Sequence, residues 1–256
     1  MRQYIYCIVF SILFIFSCAS KKDIIYIQDS DNLQNFSASF TDYKIKVDDI
    51  LKIKISVDNP EAALIFSSSL NTNISQTVDS QKYEGYKVDN DGKINYPVIG
   101  ELLVVNKTVN QVEKEFYDSI TESGILIDLS VDIKIINKSF VILGEVNNPG
   151  KYEFLKNNMN ILEAIGIAGD LTINGRRDNI RIIRDLDNFG KKRTIETIDL
   201  TSSNFLQQNF QLFPGDIVIV SPNNNRVKNA GIIGNSGTLL SLLSFILSSI
   251  ILITNS

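Results

Sequence analysis

Three stretches of the chain carry side chains able to do chemistry. They are Cys18 in "IFSCASKK", the run "VDNDGKI" with Asp89, Asp91 and Gly92, and the adjacent carboxylates Asp48 and Asp49 in "KVDDILK". A thiol can be acylated or bind metal, an acidic loop can hold calcium, and two carboxylates can share acid and base work. Adjacent residues of an extended chain point to opposite faces, so Asp48 and Asp49 cannot flank one scissile bond. The Asp89–Gly92 run matches part of a calcium loop, yet the downstream carboxylates do not follow at the required spacing. Asp-Gly between two strand-like runs is a hairpin signal first. The chain has no histidine, which removes His-based triads, histidine metal sites and the usual near-neutral acid or base. No G-x-G-x-x-G or G-x-x-x-x-G-K-[ST] is present, so nucleotide binding has no support. The expectation is a protein with no catalytic residues, no metal and no cofactor, although an enzyme built from distant carboxylates stays open.

Cys18 is positioned by what precedes it. Residues 4–16, "YIYCIVFSILFIF", form an apolar run behind Arg2, and Ser17, Cys18 and Ala19 follow as small residues, in the pattern of a secretory signal spanning 1–17. The run is shorter than the roughly 20 residues of a membrane span. "IFSC" resembles the lipobox of bacterial lipoproteins, apart from the bulky Phe16; the resemblance implies a lipid thioether, palmitate included, on Cys18. An ordinary signal or an uncleaved anchor with an incidental cysteine is the alternative. Cys7 would leave with the signal, and a secreted chain rarely keeps one unpaired thiol. Loss of Arg2 would move the net charge from −4 to −5. With no basic stripe to neutralise phosphates, a nucleic-acid partner is not expected.

The remaining sequence divides into pieces. Residues 18–40 are polar and mixed, and read as a lipidated tether. Over 41–136, "YKIKVDDILKIKISV" predicts two alternating strands with Asp48 and Asp49 at the turn between them. The polar stretch 58–82 reads as a loop, with one short helix at "PEAALIF". "YKVDNDGKINYPVIGELLVVN" predicts strand, turn and strand, with breaks at Pro97 and Gly100. Thr108 caps a helix whose Val109, Val112, Phe116 and Ile120 recur at helical spacing, and 126–136 returns as a strand. Over 138–221, "VILGEVNNPGKYEF" gives a hairpin through Gly144, Pro149 and Gly150, and "NILEAIGIAGDL" gives a short helix stopped at Gly169. Two more strands follow, then a turn at Pro214, Gly215 and Asp216 that launches a last one. The fold class is α+β: a small first domain and one β-grasp-like second domain, with no disulfide.

Asp49 and Asp216 each precede an alternating apolar strand, "VDDILKIKI" against "PGDIVIVSP". Aspartate at such a turn can bond nearby backbone N–H groups. Coincidence of common hairpin chemistry weighs equally.

At the C-terminus no charge follows Lys228, and 231–253 is long enough, about 35 Å at ~1.5 Å per residue, to cross a hydrocarbon core as a helix. Gly234, Gly237, Ser241, Ser244 and Ser248 fall in one stripe, a pattern that lets membrane helices pack closely or face water. A simple tail anchor or a buried helix is the alternative.

Together these motifs resemble the bacterial outer-membrane polysaccharide export family. "YKIKVDDILKIKI" and "DNDGKINYPVIGELLVVNKTVNQVEKEF" match its export domain, at Asp49, Asp91, Gly92, Pro97 and Gly100. "VILGEVNNPGKYEF", "NILEAIGIAGDL" and "LFPGDIVIV" match its SLBB (soluble-ligand-binding β-grasp) domain. "VDD" stands where the family commonly has P-G-D. The resemblance implies a non-enzymatic lipoprotein of the outer membrane with its soluble domains in the periplasm. It further implies a homo-oligomeric ring that passes capsular or exopolysaccharide through the outer membrane, and an inner-membrane polysaccharide copolymerase with its tyrosine kinase as partner. A monomeric glycan- or ligand-binding lipoprotein is the other reading.

Overall fold

The structure is a computed structural model that describes residues 24–29, 40–57, 85–97, 99–122, 129–186, 192–207 and 210–229. Towards the C-terminus it describes 237, 240–242, 244, 245, 248 and 249. Cys18, the expected helix at "PEAALIF", Gly234 and most of the expected membrane helix lie outside the described residues.

The first domain is built on β1 (Ile50–Val57), where Leu51 and Ile53 face inward and lysines face water. β1 is the centre of a three-stranded antiparallel sheet, between β2 (Tyr86–Lys87) and β5 (Leu129–Ile135). β3 (Lys93–Tyr96) and β4 (Gly100–Leu103) make a separate hairpin. Helix α1 (Val109–Glu122) starts at a reciprocal cap: Gln111 N donates to Thr108 Oγ1 and Thr108 N to Gln111 Oε1. Its Val112, Phe116 and Ile120 are buried against the sheet, as the spacing predicts, and each such burial is worth about 1.5–3 kcal/mol. Phe116 meets Tyr96 edge to face, with ring centroids 5.0 Å apart. β5 is an edge strand, and its Ile133 N–H is accepted by Glu113 Oε1 of α1 at 2.8 Å, which blunts that edge.

Two local expectations are corrected. Residues 43–47 are not a strand paired with β1. Ile45 is fully buried, but its N–H donates to Lys107 O and its carbonyl accepts from Asn106 N, so this segment pairs with the approach to α1. The Asp89–Gly92 turn forms, with Asp89 N donating to Lys93 O and Gly92 N to Asp89 O. The strands it joins then separate, β2 to β1 and β3 to β4, because each finds a longer apolar partner elsewhere.

The second domain holds a five-stranded sheet in the order β10-β9-β12-β6-β7. Its strands are β6 (Ser139–Gly144), β7 (Gly150–Glu153), β9 (Gly175–Asp185), β10 (Arg193–Ile198) and β12 (Ile217–Pro222). β12 runs parallel to β6 and antiparallel to β9. A short pair, β8 (Met159–Asn160) with β11 (Gln211–Leu212), lies apart from it. Helix α2 (Ile161–Ile167) opens with a capping box between Asn160 and Glu163; its Ile161, Ala164 and Ile165 join Phe140, Ile142, Ile180, Ile182, Val218 and Val220 in one core. Short helices α3 (Asn204–Gln207) and α4 (Asn224–Asn229) follow. No metal-holding group of three or more Cys, Asp or Glu occurs among the described residues.

Part of the expected tether is docked on this domain. Ile27 N donates to Leu200 O, Gln28 N to Thr201 O, and the Ser203 N–H and hydroxyl both donate to Asp29. Tyr26 donates its hydroxyl to Asp170, and the Arg177 guanidinium lies 5.0 Å from its ring centre.

Among the described residues no helix is long and apolar enough to cross a membrane. Those described at the C-terminus are helical. Ser244 Oγ donates to Ser241 O, and Ser248 Oγ to Ser244 O and Phe245 O, so these hydroxyls are satisfied within their own helix.

Candidate functional site

The two domains meet at a pair of matching turns. Lys46–Asp49 precedes β1: Asp49 N donates to Lys46 O, Asp48 has φ +70°, and Asp49 Oδ2 accepts from Lys46 N at 2.8 Å. Phe213–Asp216 precedes β12: Asp216 N donates to Phe213 O, Gly215 has φ +88°, and Asp216 Oδ2 accepts from Phe213 N at 2.8 Å. These are type II turns closed by a carboxylate at their last residue. "VDD" and "PGD" therefore build one shape, with Asp48 in the left-handed conformation that glycine takes in the second turn.

The two carboxylates have different partners. Arg184 of β9 grips Asp216 through Nε and Nη2 at 2.9 and 2.8 Å, donates to Gln211 O, and stacks 4.4 Å from the Phe213 ring centre. Burial raises the Asp216 carboxyl above the ordinary range, against the lowering pull of Arg184. Among the described residues Asp49 has no arginine partner. Its other contact is the Tyr43 hydroxyl, which donates to Oδ1 at 3.4 Å. Burial, only partly offset by the Lys46 N–H and Tyr43, pushes the Asp49 carboxyl up to about 6, and burial followed by the Asp49 charge raises the Tyr43 phenol.

Short contacts across the joint fix the domains together. The connecting residue Asn137 accepts from Ile50 N and donates to Asp48 O, both at 2.9 Å. Lys46 Nζ donates to Asp185 O at 2.9 Å, Thr41 N to Gln211 Oε1 at 3.0 Å, and the Tyr43 and Phe213 rings stand 6.2 Å apart.

Beside this joint lies a cleft of about 1020 Å³, walled by the start of α1 and by β5 on one side and by residues 153–158 on the other, with Tyr43 and Pro214 on its floor. The second wall is held by Lys138, which is only 6 % exposed. Its ammonium donates to Leu155 O, Lys156 O and Asn157 Oδ1 at 2.9, 3.2 and 2.9 Å, and burial lowers its pKa. Buried Gln211 ties this second wall to the segment leading to Tyr43, its amide nitrogen donating to Asn158 Oδ1 and its oxygen accepting from Thr41 N.

The residues singled out by sequence do not converge on one reactive centre. Asp49, Pro214, Gly215 and Asp216 meet at the joint, whereas Asp91 and Gly92 shape the β2–β3 turn, and Pro97 and Gly100 the β3–β4 hairpin. Gly144, Pro149 and Gly150 lie at the β6–β7 hairpin, and Gly169 ends α2. Sequence reasoning missed Tyr43, Asn137, Lys138, Arg184 and Gln211. One of them left a trace: Gln211 is a polar residue between apolar ones in "FQLF".

This arrangement is a pair of structural domains jointed at a cleft, with no assembled acid, base or nucleophile among the described residues. Residues 37–136 match the family model for polysaccharide biosynthesis/export proteins, and residues 138–220 match that for the SLBB domain. The chain belongs to the polysaccharide export family with an SLBB domain. Among its relatives is the EPS I polysaccharide export outer membrane protein EpsA of Ralstonia nicotianae, 30% identical over 193 residues that cover 72% of this chain and 48% of that protein. Its namesake in Ralstonia solanacearum is 26% identical over 202 residues, 76% of this chain and 52% of that protein. The chain thus spans about half the length of these relatives, and both are named as export proteins rather than as enzymes.

Proposed function

We propose that this chain is a non-enzymatic subunit of an oligomeric conduit that carries capsular or exopolysaccharide across the periplasm and the outer membrane. The observation that carries the reading is the succession of an export domain and an SLBB domain through most of a chain that is similar to proteins named for outer-membrane polysaccharide export. In this reading a lipid on Cys18 and a helix over 231–253 hold the protein in the outer membrane, since one acyl chain alone anchors weakly. The jointed domains stand in the periplasm and close into a ring, facing an inner-membrane copolymerase with its tyrosine kinase. The docking of Ile24–Asp29 on the second domain supports this, because it ties the end of the chain nearest Cys18 to the folded body.

The test is the mass of the full-length protein extracted in mild detergent, followed by export in cells carrying Ser241, Ser244 and Ser248 all replaced by Leu. A single large species and failed export are the expected results. A monomer with export undiminished by loss of the chain would overturn the conduit and favour a monomeric glycan-binding lipoprotein.

A further inference from the structure

The geometry points to the interdomain cleft as a binding site for a short, uncharged or amino-bearing oligosaccharide. Identifying that saccharide with the exported polymer rests on the export reading above; the capacity of the cleft to bind it does not.

Size is the first argument. About 1020 Å³ lies at the upper end of the ~300–1,000 Å³ of small-molecule sites, which occur preferentially at domain boundaries. Construction is the second. A groove left over between two domains has no need of a buried lysine, yet Lys138 uses its three donors to shape one wall, Glu113 fixes α1 to β5 in the other, and Gln211 ties Asn158 to Thr41 of the first domain. Such support holds polar groups in place before a ligand arrives, which lowers the cost of binding.

The third argument is which groups remain unused. Among the described residues the Asn110 side-chain amide, the Nδ2 groups of Asn157 and Asn158, and the Asp42 carboxylate line the cleft with no protein partner. A sugar hydroxyl both donates and accepts, so amide donors beside amide and carboxylate acceptors match it. Leu155, 73% exposed at the rim, offers an apolar platform for the C–H face of a ring. Three lysines line the cleft: Lys134 pairs with Asp132 at 3.0 Å, Lys138 is enclosed by oxygen atoms, and Lys52 is the third. Against these lysines stand four carboxylates, Asp42, Glu113, Asp132 and Glu153, so the lining carries one more negative than positive charge, which disfavours uronic acids and favours hydroxyl or amino groups.

Calorimetry on the full-length chain in detergent tests this with maltotetraose and chitotetraose as neutral probes and tetragalacturonate as the acidic one. At least one neutral probe is expected to bind saturably, with tetragalacturonate at least tenfold weaker. Asn110 is exposed, unpaired and in the first turn of α1, so Asn110→Leu should leave the circular dichroism and oligomer mass unchanged while weakening the neutral probe at least tenfold. No binding by either neutral probe, equal binding of the acidic one, or full affinity in the Asn110→Leu protein would each overturn the site. Export that proceeds normally without this chain would sink the conduit and leave the binding result standing.

Discussion

The carboxylates of Asp49 and Asp216 make the same hydrogen bond in two different domains: each accepts the backbone N–H three residues upstream at 2.8 Å, across a turn whose third residue has positive φ. The turns face each other at the domain joint, and Tyr43 and Phe213 bring their rings within 6.2 Å there. What differs is the counter-charge, since Arg184 holds Asp216 and, among the described residues, no arginine holds Asp49.

That difference gives a pH dependence. The Asp49 carboxyl is pushed up to about 6, above its unfolded value near 3.9, so the folded state binds the extra proton between those values. Its contribution to stability is full below about pH 4 and is lost as pH rises through about 6, on the order of 2–3 kcal/mol. The groups facing it are Tyr43, Lys46, Asp48 and Lys138. Asp49→Asn keeps an acceptor for Lys46 N and should remove this slope. The check is the difference in urea-unfolding free energy between wild type and variant, followed from pH 4 to 7; a pH-independent difference would contradict it.

Asp48 and Gly215 offer opposite substitutions at one conformation. Asp48 holds φ +70° with an exposed ion pair to Lys87, a contact that contributes little. Asp48→Gly should stabilise by about 0.5–1 kcal/mol. Gly215→Ala meets nothing within 4 Å, so its cost is conformational alone, about 1–2 kcal/mol. Thermal unfolding of the two variants should shift in opposite directions.

Gly144 and Gly150, on neighbouring strands, should respond differently to alanine. A Cβ on Gly144, at φ +93°, would lie 2.1 Å from Val220 O in the parallel pairing of β6 with β12. Gly144→Ala should cost about 3 kcal/mol or more. Gly150 begins edge strand β7 with open space around it, and Gly150→Ala should stay within about 0.5 kcal/mol. Equal unfolding midpoints for the two variants would refute the distinction.

Removing Arg184 strands a charge. Asp216 is 1 % exposed, and Arg184→Ala leaves it buried without its cation, a loss of about 3–5 kcal/mol. Adding Asp216→Asn removes the charge and keeps an acceptor for Phe213 N, so the double variant should recover part of the loss. A double-mutant cycle by denaturant unfolding measures the coupling; additive losses would show that the pair is not coupled.

The sequence by itself determined what is local and periodic. Helix α1 follows from the Thr108 cap and the recurrence Val109, Val112, Phe116 and Ile120, because helical spacing sorts those side chains to one face without outside help. The β6–β7 hairpin follows from "NNPG" between alternating runs, whereas the echo between "VDD" and "PGD" weighed no more than coincidence until the structure gave both turns one shape. Family membership was legible for the same reason: these local motifs occur in a fixed order.

Only the tertiary structure decided pairings between distant segments. Alternation showed that 43–47 hides one face, but Ile45 finds Lys107 and Asn106 instead of β1, and β2 parts from β3 at the very turn that joins them. β12 pairs in parallel with β6 across more than half of the second domain. The joint and its cleft were likewise invisible, because Asn137, Lys138, Arg184 and Gln211 take their roles from partners brought near by folding. Period and turn chemistry fix which face of a segment is buried; which other segment covers it is settled by the collective packing of the whole chain.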